Sequence, residues 1–241
     1  MTGQEFAERA RSAAAASTLY VNGCFGAPLT ASAKKRYTAN NKYNQRPERA
    51  AKIYAATSNT FGFDCCGLVK AILWGWCADL SKVYGGAVYK ANGVPDTNEA
   101  GLLQLCTMTS TDFRSTKLVP GAYLYTSGHC GIYLGAGLAA EATPLWADGV
   151  QITAVGNIQA QPGYNTRSWS SWGLLPWLDY KAPELPANVK DFNVIVDNIV
   201  KTARGIYEAG NWYIRLRDLE ERLGIALVDY DERRGMPVII D

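Results

Sequence analysis

The spacing of apolar residues changes period at Pro120-Gly121, and that change restricts the folds open to the chain. Upstream, apolar positions recur at helical intervals. Phe6, Ala7, Ala10, Ala13 and Ala14 form one mild face, and Ala50, Ala51, Ile53, Tyr54 and Ala56 form another in a helix expected from Arg46 to Thr57. Cys65, Leu68, Val69, Ile72, Leu73 and Trp76 predict a buried helix. Asp64 is placed to cap it, with Cys65 in the first turn. A short helix is expected from Asp96 to Leu105, started by Pro95. Downstream, the apolar runs are short and separated by glycines. Ala122 to Tyr125, His129 to Leu134, Leu138 to Ala142 and Val150 to Val155 predict consecutive antiparallel strands, closed by a strand from Leu174 to Tyr180. Helices first and strands second predict an α+β domain with helices packed on an antiparallel sheet.

Composition shifts at Lys181-Ala182-Pro183-Glu184-Leu185-Pro186-Ala187. Residues 1–180 therefore read as one domain, 181–190 as a linker and 191–241 as a small α+β module. In the module, Val194, Ile195 and Val196 predict a strand, and Gly205 to Ile214 a hairpin turning at Ala209-Gly210-Asn211. Leu216 to Leu223 predicts an amphipathic helix ending at Gly224, with further strands at Val228 and Val238 to Ile240.

Apolar residues make up 48% and charged residues 19%, enough to build a core. The net charge of +2 gives no electrostatic reason to expect nucleic acid. The basic run Lys34-Lys35-Arg36 reads as a solvated face. No stretch approaches the roughly 18 apolar residues of a membrane span. Glu5, Glu8, Arg9 and Arg11 occupy the place of a secretion leader's apolar segment. The expectation is a protein made in the cytoplasm that reaches any external substrate only after release.

Chemistry concentrates on very few residues. His129 is the single histidine, and the six cysteines are Cys24, Cys65, Cys66, Cys77, Cys106 and Cys130. Without export signals, a disulfide framework is disfavoured. No C-x-x-C pair with a partner pair and no H-x-x-x-H motif supports zinc. Cys24, Cys77 and Cys106 read as small buried hydrophobes. Cys65 differs, because a first-turn cysteine meets unpaired backbone N–H groups and the positive end of the helix dipole, which favour its thiolate. A histidine on a neighbouring strand could exchange protons with it, if a polar partner fixes the other ring nitrogen. Glu141 is the candidate: the turn Gly135-Ala136-Gly137 would fold its strand against that of His129. Trp146, Trp169, Trp172 and Trp177 are candidates for a glycan groove or for core packing.

Phe63-Asp64-Cys65-Cys66-Gly67-Leu68-Val69 resembles the F-D-C-S-G-L-V nucleophile motif of NlpC-type cell-wall cysteine peptidases, and His129-Cys130-Gly131-Ile132-Tyr133-Leu134-Gly135 resembles their H-V-G-I-Y-L-G strand. Tyr20-Val21-Asn22-Gly23-Cys24-Phe25-Gly26 is similar to their Y-x-W-G-G segment. The resemblance runs from Tyr20 to Tyr180 and implies a papain-like fold. It also implies hydrolysis of peptidoglycan stem peptides, commonly between D-γ-glutamyl and a diamino acid, with no metal or other cofactor. Cys65 would attack, His129 would shuttle protons and Glu141 would orient the imidazole. Tyr20 and the Cys65 N–H would hold the oxyanion, beside Asp64 and Cys66. Cys66 stands where the family usually has serine, and Glu141 where it most often has a second histidine. Residues 209–224 resemble a small module found beside bacterial wall enzymes, which implies wall-polymer contact or assembly through residues 191–241. Together with the leader reading, the pattern resembles a phage or prophage endolysin acting on bacterial peptidoglycan. Two other classes stay open: a wall-binding module without catalysis, and an amidase, deamidase or acyltransferase using the same Cys–His pair.

Overall fold

The computed structural model describes residues 1–180, 189–196, 199–208, 211–214, 227–231 and 236–239. The chain divides into two units, Met1–Lys181 and Ala182–Asp241.

The first unit opens with α1 (Gly3–Ala15), begun by a capping box in which Thr2 accepts from Glu5 N–H and Glu5 accepts from Thr2 N–H. Its expected face is buried, with Phe6, Ala7, Ala10 and Ala13 inaccessible to solvent. Then come β1 (Thr18–Tyr20), β2 (Phe25–Pro28), α2 (Ala31–Ala39), α3 (Pro47–Ala55) and β3 (Phe61–Phe63). These are followed by α4 (Cys65–Leu73), a 3-10 turn at Ala91–Gly93 and α5 (Glu99–Leu105). The remaining strands are β4 (Met108–Ser110), β5 (Tyr123–Thr126), β6 (His129–Gly135), β7 (Leu138–Thr143), β8 (Gly149–Val155), β9 (Thr166–Arg167) and β10 (Ser171–Leu174). The unit is mixed α+β, with helices on an antiparallel-rich sheet ordered β4-β10-β5-β6-β7-β8-β9. Only β8 and β9 pair in parallel within it.

Two faces of this sheet bury different residues. Cys130, Ile132, Leu134, Ala140 and Ala142 join the core shared with α1 and α4. Tyr133 and Ala139, of opposite parity, join a second core with Leu124, Trp169 and Trp172. The side-chain period of two in each strand makes this division.

The sequence did not reveal a second small sheet, in which β3 lies between parallel β1 and antiparallel β2. Three-residue strands such as Phe61-Gly62-Phe63 carry too little periodicity to be read. Two expected boundaries also move. The strand expected from Leu174 to Tyr180 lies at Ser171–Leu174 instead, pairing with β4 and β5. Pro176 supplies no ladder donor, so the chain turns there. The helix expected from Asp96 to Leu105 starts at Glu99, because Asn98 is the residue that caps it, accepting from Gly101 N–H. Asp96 instead pairs with Lys70 of α4.

In the second unit, β11 (Val189–Val196), β12 (Ile199–Glu208) and β13 (Asn211–Ile214) form an antiparallel sheet. β14 (Leu227–Asp231) pairs antiparallel with β15 (Met236–Ile239). Of the expected linker 181–190, Val189 and Lys190 already belong to β11; residues 181–188, the turn residues Ala209 and Gly210, the Leu216 to Leu223 helix, Gly224 and Ile240 lie outside the described residues. Among the described residues no helix is long and apolar enough to cross a membrane.

Candidate active site

Cys65 is the first residue of α4, and the local sequence explains why the helix begins there. Asp64 is extended and accepts the Gly67 N–H on its side chain. Its other oxygen accepts the Gly23 N–H at 2.6 Å, tying the helix start to the loop after β1. Gly67 has no room for a side chain, since a Cβ there would lie 2.0 Å from the Cys24 carbonyl oxygen. Burial, followed by the neighbouring charge of Cys65, pushes the Asp64 carboxyl up to about 6.

β6 delivers His129 as its first residue. The hairpin to β7 pairs Ile132 with Ala140 and Tyr133 with Ala139. Gly135, Ala136 and Gly137 all adopt positive φ in its turn. This brings Glu141 under the imidazole, with Nε2 of His129 2.7 Å from Glu141 Oε2. Nε2 is thereby taken, which leaves Nδ1 as the ring atom for Cys65. Burial acts against the charged form of His129, but the nearby Cys65 thiol and the Glu141 carboxylate outweigh it, so its pKa is raised. Cys65 is held well below the ordinary thiol range. The neighbouring Cys130 and Cys66 thiols, acting with His129, outweigh the opposing effect of burial. Both shifts run in the direction that favours a thiolate beside an imidazolium.

Glu141 is wholly buried and fully engaged. Besides His129, it accepts from Thr153 Oγ1 at 2.7 Å and from Arg167 Nε at 2.6 Å. Arg167 lies over the Trp146 ring at 5.1 Å. The His129 ring stacks on Trp169 at 5.5 Å between centroids, tilted by 13°. Thr153, Arg167 and Trp169 thus belong to the site. No motif announces the first two, because neither is near His129 or Cys65 in sequence.

Tyr20 ends β1 beside Phe63, two residues before Cys65. Its phenol is raised by burial and then by the Cys65 charge. Arg49 fixes this corner, donating to the Tyr20 carbonyl and pairing with Asp148 at 2.6 Å. Tyr20, Asn22, Asp64, Cys65, Cys66 and Glu99 line one open cleft of about 430 Å³. The Cys65 N–H, at the first position of α4, points out of the helix ladder. All candidate site residues are thus brought together: His129 bonded to Glu141 and close to Cys65, with Tyr20, Asp64 and Cys66 around the thiol.

The remaining expectations separate. All six cysteines are free thiols. Cys24 is buried as expected, but Cys77 is exposed and Cys106 only half-buried. Cys77 follows Trp76, whose ring fills the core, so the next side chain turns outward. The sequence spacing suggests no metal site, yet the fold gathers the Sγ atoms of Cys65, Cys66 and Cys130 to within 4.8 Å of one another. Burial and the neighbouring Cys65 thiol push the Cys130 thiol up. For Cys66, the bond with Cys130 acts downward, but Cys65 and burial win and its pKa is raised. Trp169 and Trp172 are core residues, whereas Trp146 is 46% exposed. In the basic run Lys35 and Arg36 are exposed, as expected of a solvated face, and Lys34 is half-buried. Lys34 donates to the Tyr54 and Ala56 carbonyls, and Arg36 lies over Tyr37 at 4.7 Å.

Comparison with family models, curated proteins and solved structures gave no match to the chain.

Proposed function

We propose that the chain is a papain-like, NlpC-type cysteine peptidase that hydrolyses stem peptides of bacterial peptidoglycan, at the bond between D-γ-glutamyl and a diamino acid. The observation that carries this reading is the grouping of Cys65 with His129, which is hydrogen-bonded to a fully buried Glu141, at a cleft lined by Cys65 and Tyr20. A thiol, an imidazole and a carboxylate in this order at the edge of a cavity are the parts that nucleophilic acyl transfer uses. The substrate class comes from the resemblance of residues 63–69 and 129–135 to the wall-peptidase motifs.

In this mechanism the Cys65 thiolate attacks the amide carbonyl carbon. The Cys65 N–H and the Tyr20 hydroxyl donate to the developing oxyanion. His129 gives its proton to the leaving amine and then takes one from the water that hydrolyses the thioester, regenerating the thiolate. Glu141 holds Nε2, which fixes the ring and stabilises its cationic form. Thr153 and Arg167 hold Glu141 in turn.

The test is digestion of purified peptidoglycan of both diamino acid types, with mass spectrometry of the released fragments. Wild type and Cys66→Ala should release new stem-peptide termini, and Cys65→Ala should release none. Wall binding by wild type without new termini from either type would overturn the reading.

A further inference from the structure

Acyl transfer needs one thiol, yet this site holds three. Cys65 and Cys66 come from the first turn of α4, and Cys130 comes from β6, 64 residues further on. We propose that Cys65, Cys66 and Cys130 form a three-thiolate site for a divalent cation of the zinc class, and that an ion seated there ties up Cys65.

The geometry supports it. Zinc–sulfur bonds of about 2.3 Å set sulfurs about 3.8 Å apart around a tetrahedral ion. Cys130 Sγ lies 3.7 Å from Cys66 Sγ, so one edge already has that length. All three sulfurs lie within 4.8 Å of one another, so the other edges close with shifts of about 1 Å or less. All three thiols are free and buried. They project from a core-packed helix and a core-packed strand, which fixes the trio before an ion arrives. Thiolates select zinc-like or softer ions over magnesium and calcium, which prefer oxygen. Cys65 and Cys66 also line the cleft, which provides an entry path and a side open to a fourth ligand. Metal binding follows from the thiol positions alone. Inhibition by the metal rests on the peptidase reading of Cys65.

The test uses the full chain, reduced and stripped of metal by a chelator, with Co(II) as the spectroscopic probe and Zn(II) as competitor. The expected result is a thiolate-to-cobalt charge-transfer band that saturates at one ion per chain and is bleached by Zn(II). Zn(II) should also slow iodoacetamide alkylation of Cys65 by about tenfold or more. Cys66→Ser and Cys130→Ala should each weaken cobalt binding by about tenfold or more, while His129→Ala keeps the band. Circular dichroism checks the fold of each variant, and Cys66→Ser carries the comparison if Cys130→Ala unfolds. Absence of the band overturns the proposal. So does loss of the band in His129→Ala with retention in Cys66→Ser, which would place the ion on the Cys65–His129 pair. Neither readout uses wall material. A cobalt band without wall digestion removes the peptidase reading and leaves the metal site. Digestion without a band does the reverse.

Discussion

Replacing Glu141 with glutamine isolates the charge of the buried carboxylate from its shape. The amide oxygen can take the place of Oε2, accepting from His129 Nε2 and Arg167 Nε. The amide nitrogen then faces Thr153, whose hydroxyl can turn from donor to acceptor. Each contact survives, but the negative charge goes. Glu141 is one of the groups that raise the His129 pKa, together with Cys65. A hydrogen bond to a charged group contributes about 1.5–3 kcal/mol, and one pKa unit corresponds to about 1.4 kcal/mol. The His129 titration midpoint should therefore fall by about one to two units in Glu141→Gln. Because the chain has one histidine, proton NMR of its imidazole Cε1–H reports this residue without assignment. On the alkaline side, kcat/KM on wall fragments should drop by about tenfold. Glu141→Ala should behave differently, leaving Arg167 unpaired at 17% side-chain exposure and losing about 3 kcal/mol of stability. An unshifted His129 midpoint in Glu141→Gln would refute the assignment of Glu141 as the group that sustains the imidazolium.

Further predictions follow from the helix start and the ion pair. Asp64→Asn keeps an acceptor for Gly67 N–H but turns an NH2 toward Gly23 N–H, so urea titration should show a loss of about 2 kcal/mol. Gly67→Ala places a methyl against the Cys24 carbonyl oxygen. It should cost about 3 kcal/mol or more and lower the thermal midpoint, and a neutral result would contradict the close packing of α4 on that loop. The pH dependence has a definite sign. The folded-state pKa of His129 lies above its ordinary 6.5, so its contribution is complete below that value and is lost as pH rises through the raised one. Cys65 is shifted down, so its contribution is present above the ordinary thiol range and is lost as pH falls through the lowered value. Activity should accordingly hold across the neutral range and fall on its alkaline side as His129 deprotonates.

The sequence made parts of this arrangement legible for identifiable reasons. Asp64 before an apolar helical run is a local signal, and it correctly placed Cys65 at the start of α4. The Gly135-Ala136-Gly137 turn is equally local, and it brought Glu141 to His129. The groups that hold Glu141 were invisible because they arrive through pairing at long range. Thr153 comes from β8, and Arg167 comes from a two-residue strand with no periodicity of its own. The thiol cluster was hidden in the same way. Cys130 sits beside His129 in sequence but on the opposite face of β6, and it meets Cys66 only through packing of α4 on the sheet. The strand expected from Leu174 to Tyr180 failed because hydrophobic content was weighed without the turn that Pro176 imposes.

For Cys65 as an activated thiolate, the chain carries its own control. Cys77 is the exposed cysteine, whereas Cys65 is only 9% exposed. The native, metal-free protein would be treated with sub-stoichiometric iodoacetamide at about pH 6, where an ordinary thiol is almost wholly protonated. Labelled sites would then be read by peptide mass spectrometry. Cys65 should be alkylated ahead of Cys77, and His129→Ala should remove this preference. Labelling of Cys77 with Cys65 untouched would contradict it.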